Sequence, residues 1–426
     1  MKAKDSPCVV NAVRVEGIQH TSQGLLDKAT QPLLRAATLT DVVIGSRNVA
    51  SQLQQLDIFD SVEVILDSPA QASPSAFTLV DVVYRVKEGK RLKARTGASF
   101  SGNEGAMDVS LAVKNGMGLA DKLSVTWSTS IEASSAASPT LQASFTKPLG
   151  ADPHRLLECV GYSKDRDRSA RMSHHERQRG GSFSFRQNLS NGFQQLGYSL
   201  VWRENHSLLP TASLSIRKCA GHSLKSALVY QLALDSRDDA CFPTKGLLFK
   251  MSSELAGLGG DVRHCKAEVD SQLALPLFGG VSLVSSLRGG LLLSSKSFIN
   301  DRFVLGGPLS VRGFCLDGIG PRDASDVIGG DCFWAGGLSL MLPMPYVPWK
   351  QLKTHAFING GSLVTAGEIA SLPKRLFETP SLSAGVGLMA RFSLFRLELN
   401  WCLPIMMRSS DQFKHGPQFG IGLDFI

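Results

Sequence analysis

The chain has 426 residues, of which 43% are hydrophobic, 19% charged and 7% aromatic, and its formal net charge is +8 at pH 7. This composition excludes a disordered tail, a collagen and a disulfide-rich miniprotein. A multi-helix membrane protein is also excluded, because the longest charge-free run, Cys332 to Trp349, contains three prolines that would break a spanning helix.

The start of the chain differs in charge from the rest. Residues 1–90 carry nine basic and ten acidic side chains, whereas the remainder carries 36 basic and 27 acidic ones. We expect no secretory signal, because residues 1–13 show no charged region followed by an apolar core and a cleavage site. The eight cysteines show no CxxC spacing, so we expect free thiols rather than a zinc site or a disulfide framework.

Residues 1–90 are predicted to form a small α+β domain. Apolar alternation indicates a first strand and two final strands, and apolar residues at helical spacing indicate two helices between them. The second helix is expected to be capped at Thr40 or Asp41. The predicted elements are a strand over 9–15, helices over 22–35 and from 40 to 56, and strands over 62–67 and 77–86.

Residues 91–426 show a dominant period of two. Leu123, Val125 and Trp127, for example, alternate with polar residues. Segments of about ten residues, apolar on one face and polar or small on the other, are typical of a transmembrane β-barrel. We predict sixteen strands near 91–101, 105–115, 121–131, 138–148, 154–163, 180–188, 192–204, 222–235, 246–258, 261–276, 280–294, 331–343, 351–360, 381–390, 392–403 and 416–426.

One charged stretch lies between two of these strands. Lys164 to Arg179 contains six basic and three acidic residues. A lipid-headgroup or nucleic-acid patch is one interpretation. Because opposite charges are interleaved and aromatic residues are absent, we favour a solvated loop.

The longest connection, Ser295–Gly330, is the candidate to fill the barrel. A barrel of sixteen strands has a lumen too wide for side chains alone, and a connection of this length within a compact domain is usually functional. It contains the tetrapeptide Val311-Arg312-Gly313-Phe314. This tetrapeptide, in the eleventh connection of a sixteen-strand pattern, resembles the signature loop of the outer-membrane insertase superfamily.

Other segments support the same resemblance. Residues 13–17 and 56–62 resemble parts of a polypeptide-transport-associated (POTRA) domain. The turn that contains Asp235, Phe242, Pro243 and Gly246 resembles a family turn. The C-terminal Gln418, Gly420, Leu423 and Phe425 match the β-signal of mitochondrial barrel proteins. These segments are spread over nearly the whole chain. The expected lack of a secretory signal and of further POTRA domains favours the mitochondrial branch, the central barrel of the sorting and assembly machinery.

The resemblance implies an architecture and a function. It implies a POTRA-like domain over 1–90 in the intermembrane space and a mitochondrial outer-membrane barrel over 91–426. The barrel would insert β-barrel precursors through a lateral gate between its first and last strands. Partners would be precursors, accessory subunits and membrane lipids, with no nucleic acid, metal or cofactor. The alternative functions are a protein-translocating channel of the same superfamily and a metabolite porin.

The resemblance also implies that Arg312 anchors the loop to the barrel wall. Glu398, Asn359 and Asp235 are the inward-facing candidates to bind its guanidinium group. Bacterial relatives often have an acidic residue on the strand where this chain has Phe357 to Gly361. A salt bridge from Arg312 to that strand is therefore not expected.

Two further patterns indicate chemistry only weakly. Gly385-x-Gly387-x-x-Ala390 fits a dinucleotide-binding motif, but a strand rather than a helix is predicted to follow. His174, His175 and Glu176 lack the HExxH spacing, so we expect exposed histidines at loops and strand ends. The sequence therefore predicts no enzyme.

Overall fold

A computed structural model describes residues 7–68, 78–101, 104–132, 138–294, 298–344, 351–365, 372–392 and 395–422. No helix within these ranges is both long and apolar enough to cross a membrane. The predicted β-signal residues Leu423 and Phe425 lie outside the described residues.

The N-terminal domain is a three-stranded sheet covered by two helices. Its strands are ordered β1-β3-β2, with β1 parallel and β2 antiparallel to β3. Leu26, Leu53 and Tyr84 are buried in its core. The elements are β1 (Cys8–Glu16), α1 (Gln23–Thr30), a 3₁₀ helix (Gln31–Arg35), α2 (Leu39–Gln55), β2 (Phe59–Asp67) and β3 (Thr78–Glu88).

The helix ends differ from the sequence prediction. The predicted first helix is divided, because Pro32 lies at the start of a 3₁₀ turn that continues α1. The predicted cap of α2 is wrong: Thr38 is the N-cap, and its side chain accepts a hydrogen bond from the backbone of Asp41. Thr40 lies inside the first turn.

The remainder is a sheet of sixteen antiparallel strands, which confirms the predicted fold class. Neighbouring strands follow chain order throughout the sheet. Its first eleven strands are β4 (Leu92–Ser101), β5 (Glu104–Lys114), β6 (Lys122–Glu132), β7 (Ser138–Leu149), β8 (Asp152–Asp167), β9 (His175–Leu189), β10 (Gly192–His206), β11 (Gly221–Asp235), β12 (Gly246–Gly260), β13 (His264–Pro276) and β14 (Ser282–Ser294). After the short loop strands β15 (Arg322–Asp323) and β16 (Asp326–Val327), the sheet continues with β17 (Cys332–Pro343), β18 (Leu352–Val364), β19 (Ser381–Phe392), β20 (Phe395–Met406) and β21 (Gly416–Gly422). Short helices α3 (Ser169–Met172), α4 (Leu214–Lys218) and α5 (Leu372–Phe377) lie in its connections.

The charged stretch 164–179 is not the predicted solvated loop. Strands β8 and β9 extend into it and pair as far as Asp167 with His175. Its charges bind one another: Arg177 on β9 lies 3.0 Å from Asp165, its partner on β8, and Glu176, which is 1% exposed, lies 3.0 Å from Arg168 in the connection. Interleaved opposite charges therefore indicate cross-strand ion pairs here. A search for apolar residues at every second position cannot distinguish such a charged strand pair from a polar loop.

The two faces of the large sheet differ sharply. Leu399 and Trp401 on β20 are exposed and apolar, whereas Glu398 and Asn400 between them are buried. This alternation produces an apolar outer surface and a polar interior, as in a membrane barrel. The two end strands, β4 and β21, approach to within 8 Å between Cα atoms, so the sheet curves back on itself. Within the described ranges no strand pairing joins them.

The N-terminal domain is bound to one end of the barrel. The backbone nitrogen of Ser22 donates to the Gly118 carbonyl at 2.7 Å, and the Gln52 side chain donates to the Ala151 carbonyl at 2.9 Å. Gly118 and Ala151 lie in the short connections after β5 and β7. The long connections, including the one that contains residues 298–331, are therefore at the opposite end of the barrel.

Candidate functional site

The connection between β14 and β17 lies inside the barrel. Its apolar side chains are buried against the inner wall of β14, β17 and β18. The buried cluster consists of Leu292, Phe303, Leu305, Val311, Phe314, Ile319, Phe333, Ala335 and Leu363. Asp301 binds Arg203 on β10, and Arg312 binds Glu398 on β20. Because β10 and β20 are distant in the strand order, the connection crosses the lumen.

Arg312 is held by a buried carboxylate. Its Nε and Nη2 atoms lie 3.0 and 3.4 Å from the two oxygens of Glu398, and the side chains are 1% and 0% exposed. Arg396 approaches the same carboxylate, with Nη2 2.6 Å from Oε1. The Arg312 guanidinium group also lies 4.9 Å from the centroid of the Phe357 ring. A buried charge persists only when it is paired and hydrogen-bonded, and Glu398 supplies that pairing for two arginines.

The three candidate anchors have different partners. Glu398 contacts Arg312 directly. Asn359 reaches it through Ser383, whose hydroxyl group donates to the Arg312 carbonyl and lies 2.8 Å from the Asn359 side-chain oxygen. Asp235 binds Arg237 at 2.8 Å.

Gly313 and Phe314 are held by the last strand. The Gln418 side-chain oxygen accepts a hydrogen bond from Gly313 N at 2.9 Å, and its nitrogen donates to the Phe314 carbonyl at 3.0 Å. Gly313 has φ +84°, and a Cβ there would lie 2.9 Å from that of Ser383, so only glycine fits. The segment before β21 adds a backbone hydrogen bond, from Lys414 N to the Gly313 carbonyl at 2.9 Å.

The family turn is connected to the same charges. Phe242 is buried, and the neighbouring Cys241 carbonyl accepts a hydrogen bond from Arg396 at 2.8 Å. Pro243 and Gly246 complete the turn, and a Cβ at Gly246 (φ +109°) would lie 2.4 Å from the Ser236 carbonyl oxygen. Burial raises the pKa of Asp238, but hydrogen bonds from Thr244 and Lys245 outweigh it and lower that pKa to about 2.

A second charged cluster binds the loop to the opposite wall. Asp301 accepts two hydrogen bonds from Arg203, at 2.8 and 3.0 Å. Glu254 and His264 lie close enough to Asp301 for the three to ligate a metal ion. However, the Lys225 ammonium group is 2.9 Å from Glu254 and 3.7 Å from Asp301. These cations already neutralise the carboxylates, so the cluster is a salt-bridge network rather than a metal site.

Sequence reasoning missed two residues of this site. Arg396 shares the Glu398 carboxylate, and Ser383 binds the loop, but each occupies an ordinary polar position in an alternating strand. Gln418 is one of the predicted β-signal residues, but the sequence pattern did not predict its contact with the loop. The expectation of exposed histidines is also wrong for His174, which is 2% exposed, because it folds back within the connection between β8 and β9, where its Nδ1 atom lies 2.8 Å from the Met172 carbonyl oxygen. His264 (5%) and His355 (2%) are likewise buried, since they point into the lumen. The Gly385 motif lies on β19 and is followed by another strand, so it lacks the helix that dinucleotide binding requires.

Comparison with known proteins supports both the sequence pattern and the fold. The Omp85 superfamily domain model matches residues 115–425. Sorting and assembly machinery component 50 homologs from Xenopus tropicalis and Homo sapiens are 34% and 33% identical; the matches cover 98% of this chain and 91% and 90% of theirs.

Solved structures share the architecture. BamA from Haemophilus ducreyi, crystallised without POTRA domains 1-3, matches with a TM-score of 0.81 at 18% identity, over 97% of this chain and 84% of that one. CdiB from Acinetobacter baumannii matches with a TM-score of 0.57 at 17% identity, over 98% and 74%. At these identities the likeness concerns the fold alone.

Proposed function

Because the chain belongs to the Omp85 superfamily, we propose that it is an insertase that folds β-barrel precursors and inserts them into the mitochondrial outer membrane. Its similarity to sorting and assembly machinery components supports this assignment. Precursors and accessory subunits of such a complex are its expected partners. The task requires no bond to be made or broken, so the proposed activity is not enzymatic.

The physical problem is the unpaired backbone of an incoming strand. In lipid, each unsatisfied N–H or C=O group costs several kcal/mol. A barrel whose first and last strands separate offers a free edge on which an incoming strand can pair by β-augmentation. We place this lateral gate between β4 and β21. The few side chains on β21, where Gly416, Gly420 and Gly422 alternate with larger residues, favour a weak seam.

The observation that carries the proposal is that the signature loop is bonded to the last strand of this seam and to the neighbouring strand β20. Glu398 on β20 holds Arg312, and Gln418 on β21 holds the backbone of Gly313 and Phe314. Because of these contacts, the position of the loop in the lumen would depend on the position of the last strand. We assign Val311 to Phe314 this coupling role and Asn359 a supporting one.

We also propose that residues 1–90 act as a POTRA domain in the intermembrane space. The order of their strands and helices and their contact with the short-turn end of the barrel support this placement. Precursors arriving on that side would meet the domain before they reach the seam. The long connections and the entry to the lumenal loop would then face the cytosol.

The experiment is a set of disulfide locks in the full chain within isolated outer membranes. Cysteine pairs distributed over 93–97 and 417–421 should include pairs that close the seam, and these should stop insertion of a radiolabelled barrel precursor until reductant is added. The matched control is Leu399→Cys with Phe419→Cys, which joins neighbouring positions on β20 and β21 and leaves the seam free. Normal insertion by a fully locked seam would refute the lateral gate.

The channel alternative predicts a different result. A translocating channel or porin in a planar bilayer should show large steady conductance without a precursor. A lumen crossed by a buried loop favours low conductance until the loop moves. Steady conductance together with no effect of the seam locks would favour the channel.

A further inference from the structure

The outer surface of the barrel carries an apolar groove over strands β8 to β11, with a volume of about 460 Å³. Gly181 forms its floor, since it has no side chain to fill the space. Phe183, Leu200, Trp202 and Leu224 form its walls. Because Phe183 is 57% exposed on the outer face, the groove opens towards the hydrocarbon of the membrane.

An unneutralised cation lies at the upper end of this groove, the end nearer the long connections. Arg179 is exposed, shares the outer face with Phe183, and is placed opposite Trp202 in the strand pairing. Its guanidinium carbon is 5.8 Å from the Trp202 ring centroid. Within the described part of the chain Arg179 has no carboxylate partner. A guanidinium group at the edge of a bilayer without a protein anion needs another anion.

The next row of side chains towards the strand ends is acidic. Arg177 lies 3.0 Å from Asp165 and 3.5 Å from Glu204, so one cation lies between two carboxylates and the row has a net charge of −1. This row is two residues from Arg179, a spacing of about 6.6 Å along the strand. From the membrane interior outwards, the surface is therefore apolar, then positive, then negative.

This order is complementary to one zwitterionic glycerophospholipid. We propose that the β8–β11 groove binds such a lipid, with an acyl chain along Gly181, the phosphate on Arg179 and the amine towards Asp165 and Glu204. An anionic headgroup without an amine would satisfy Arg179 but would place no positive charge against the acidic row. The groove spans the fifth to eighth of sixteen strands, so the bound lipid lies across the barrel from the β4–β21 seam.

Trp202 provides a direct probe. In the full chain, Trp127, Trp334, Trp349 and Trp401 are changed to phenylalanine, which leaves Trp202 as the single tryptophan. The protein in detergent micelles is titrated with phosphatidylcholine carrying dibrominated acyl chains, which quench tryptophan at short range. The matched control keeps Trp401, which is 64% exposed on the outer face of β20, as the single tryptophan.

The proposal predicts site-specific quenching. Half-quenching of Trp202 should need about tenfold less phosphatidylcholine than that of Trp401, the factor that one charge-assisted hydrogen bond supplies. Arg179→Gln should remove this difference, and Gly181→Leu should do so by filling the groove. Asp165→Asn with Glu204→Gln should abolish the preference for phosphatidylcholine over dibrominated phosphatidylglycerol.

Two results would overturn the proposal. One is equal quenching of Trp202 and Trp401, as expected if the groove accepts lipid at random or is reserved for a protein subunit. The other is unchanged Trp202 quenching in Arg179→Gln. Heat-modifiable gel mobility checks that every variant keeps the barrel, and Arg179→Gln alone decides the matter if Gly181→Leu does not fold.

Discussion

Arg312→Ala is expected to release the lumenal loop without unfolding the barrel. The substitution removes two hydrogen bonds to Glu398, but Glu398 keeps its contact with Arg396 at 2.6 Å. The remaining carboxylate is therefore still paired, and the loss should be that of a charged hydrogen bond, about 1.5–3 kcal/mol. About 2 kcal/mol corresponds to a roughly 30-fold shift from the docked to the undocked loop.

The other substitutions at this pair are ranked by the same argument. Arg312→Lys keeps the charge but loses the planar fork, so its effect should be smaller. Glu398→Gln leaves both Arg312 and Arg396 without their buried countercharge and should have the largest effect, about 3–5 kcal/mol. Arg288→Ala is the matched control, because Arg288 is a half-exposed wall arginine that binds Glu268 at 3.1 Å.

Two assays test this order on membrane-embedded protein. Limited proteolysis measures exposure of residues 298–331, and a precursor-insertion assay measures function. We expect both to change in the order Glu398→Gln, Arg312→Ala, Arg312→Lys, with Arg288→Ala at the wild-type value. Wild-type proteolysis and insertion in Arg312→Ala would refute the anchoring role.

Three further predictions concern neighbouring contacts. Gln418→Glu keeps an acceptor for Gly313 N but places a second oxygen, in place of the donor nitrogen, against the Phe314 carbonyl. Proteolysis of the loop should therefore rise about tenfold. Gln418→Asn keeps the amide group and should raise proteolysis less. Gly313→Ala should raise proteolysis at least as much, because it combines a left-handed backbone with a close contact to Ser383. Burial raises the pKa of Glu88, but hydrogen bonds from Thr21 and the backbone of residues 19–21 outweigh it and lower that pKa. This stabilisation should therefore be complete above the ordinary glutamate pKa of about 4.3 and lost as pH falls through the lower folded value. Hydrogen-exchange protection of residues 20 and 21, corrected for intrinsic rates, should fall in acid, and Glu88→Gln should remove this pH dependence.

The period of two was sufficient to predict all sixteen barrel strands. Each strand has one face against lipid and one against the lumen, so its apolar alternation is imposed by two different solvents. The rule was less accurate where strands continue past the membrane. In β8 and β9 the alternation changes from apolar and polar to opposite charges, and the signal disappears although pairing continues to Asp167 and His175.

The site was only partly predictable for a different reason. Arg312 could be proposed because its tetrapeptide resembles the signature loop of the superfamily, and Glu398 could be proposed because it is an acidic residue at an inward-facing position. Arg396 is one of many polar residues at inward-facing positions. Nothing in the local sequence indicates that it binds the same Glu398 carboxylate as Arg312. Which inward residues meet depends on how the loop folds across the lumen, and that is determined by long-range packing of residues such as Val311 and Phe314.

The distribution of anchors also bears on how the proposed gate would work. The loop is bonded to Glu398 and Ser383 on β20 and β19 and to Gln418 on β21, all on the C-terminal side of the seam. Separation of β4 from β21 would therefore break none of these contacts, and the loop would stay with the C-terminal strands. Further attachments, from Asp301 to Arg203 on β10 and from Asp326 to Ser173 and Ser213, lie far from the seam. A loop fixed at all these places can brace the barrel while its first strand moves away, so the free edge is exposed without emptying the lumen.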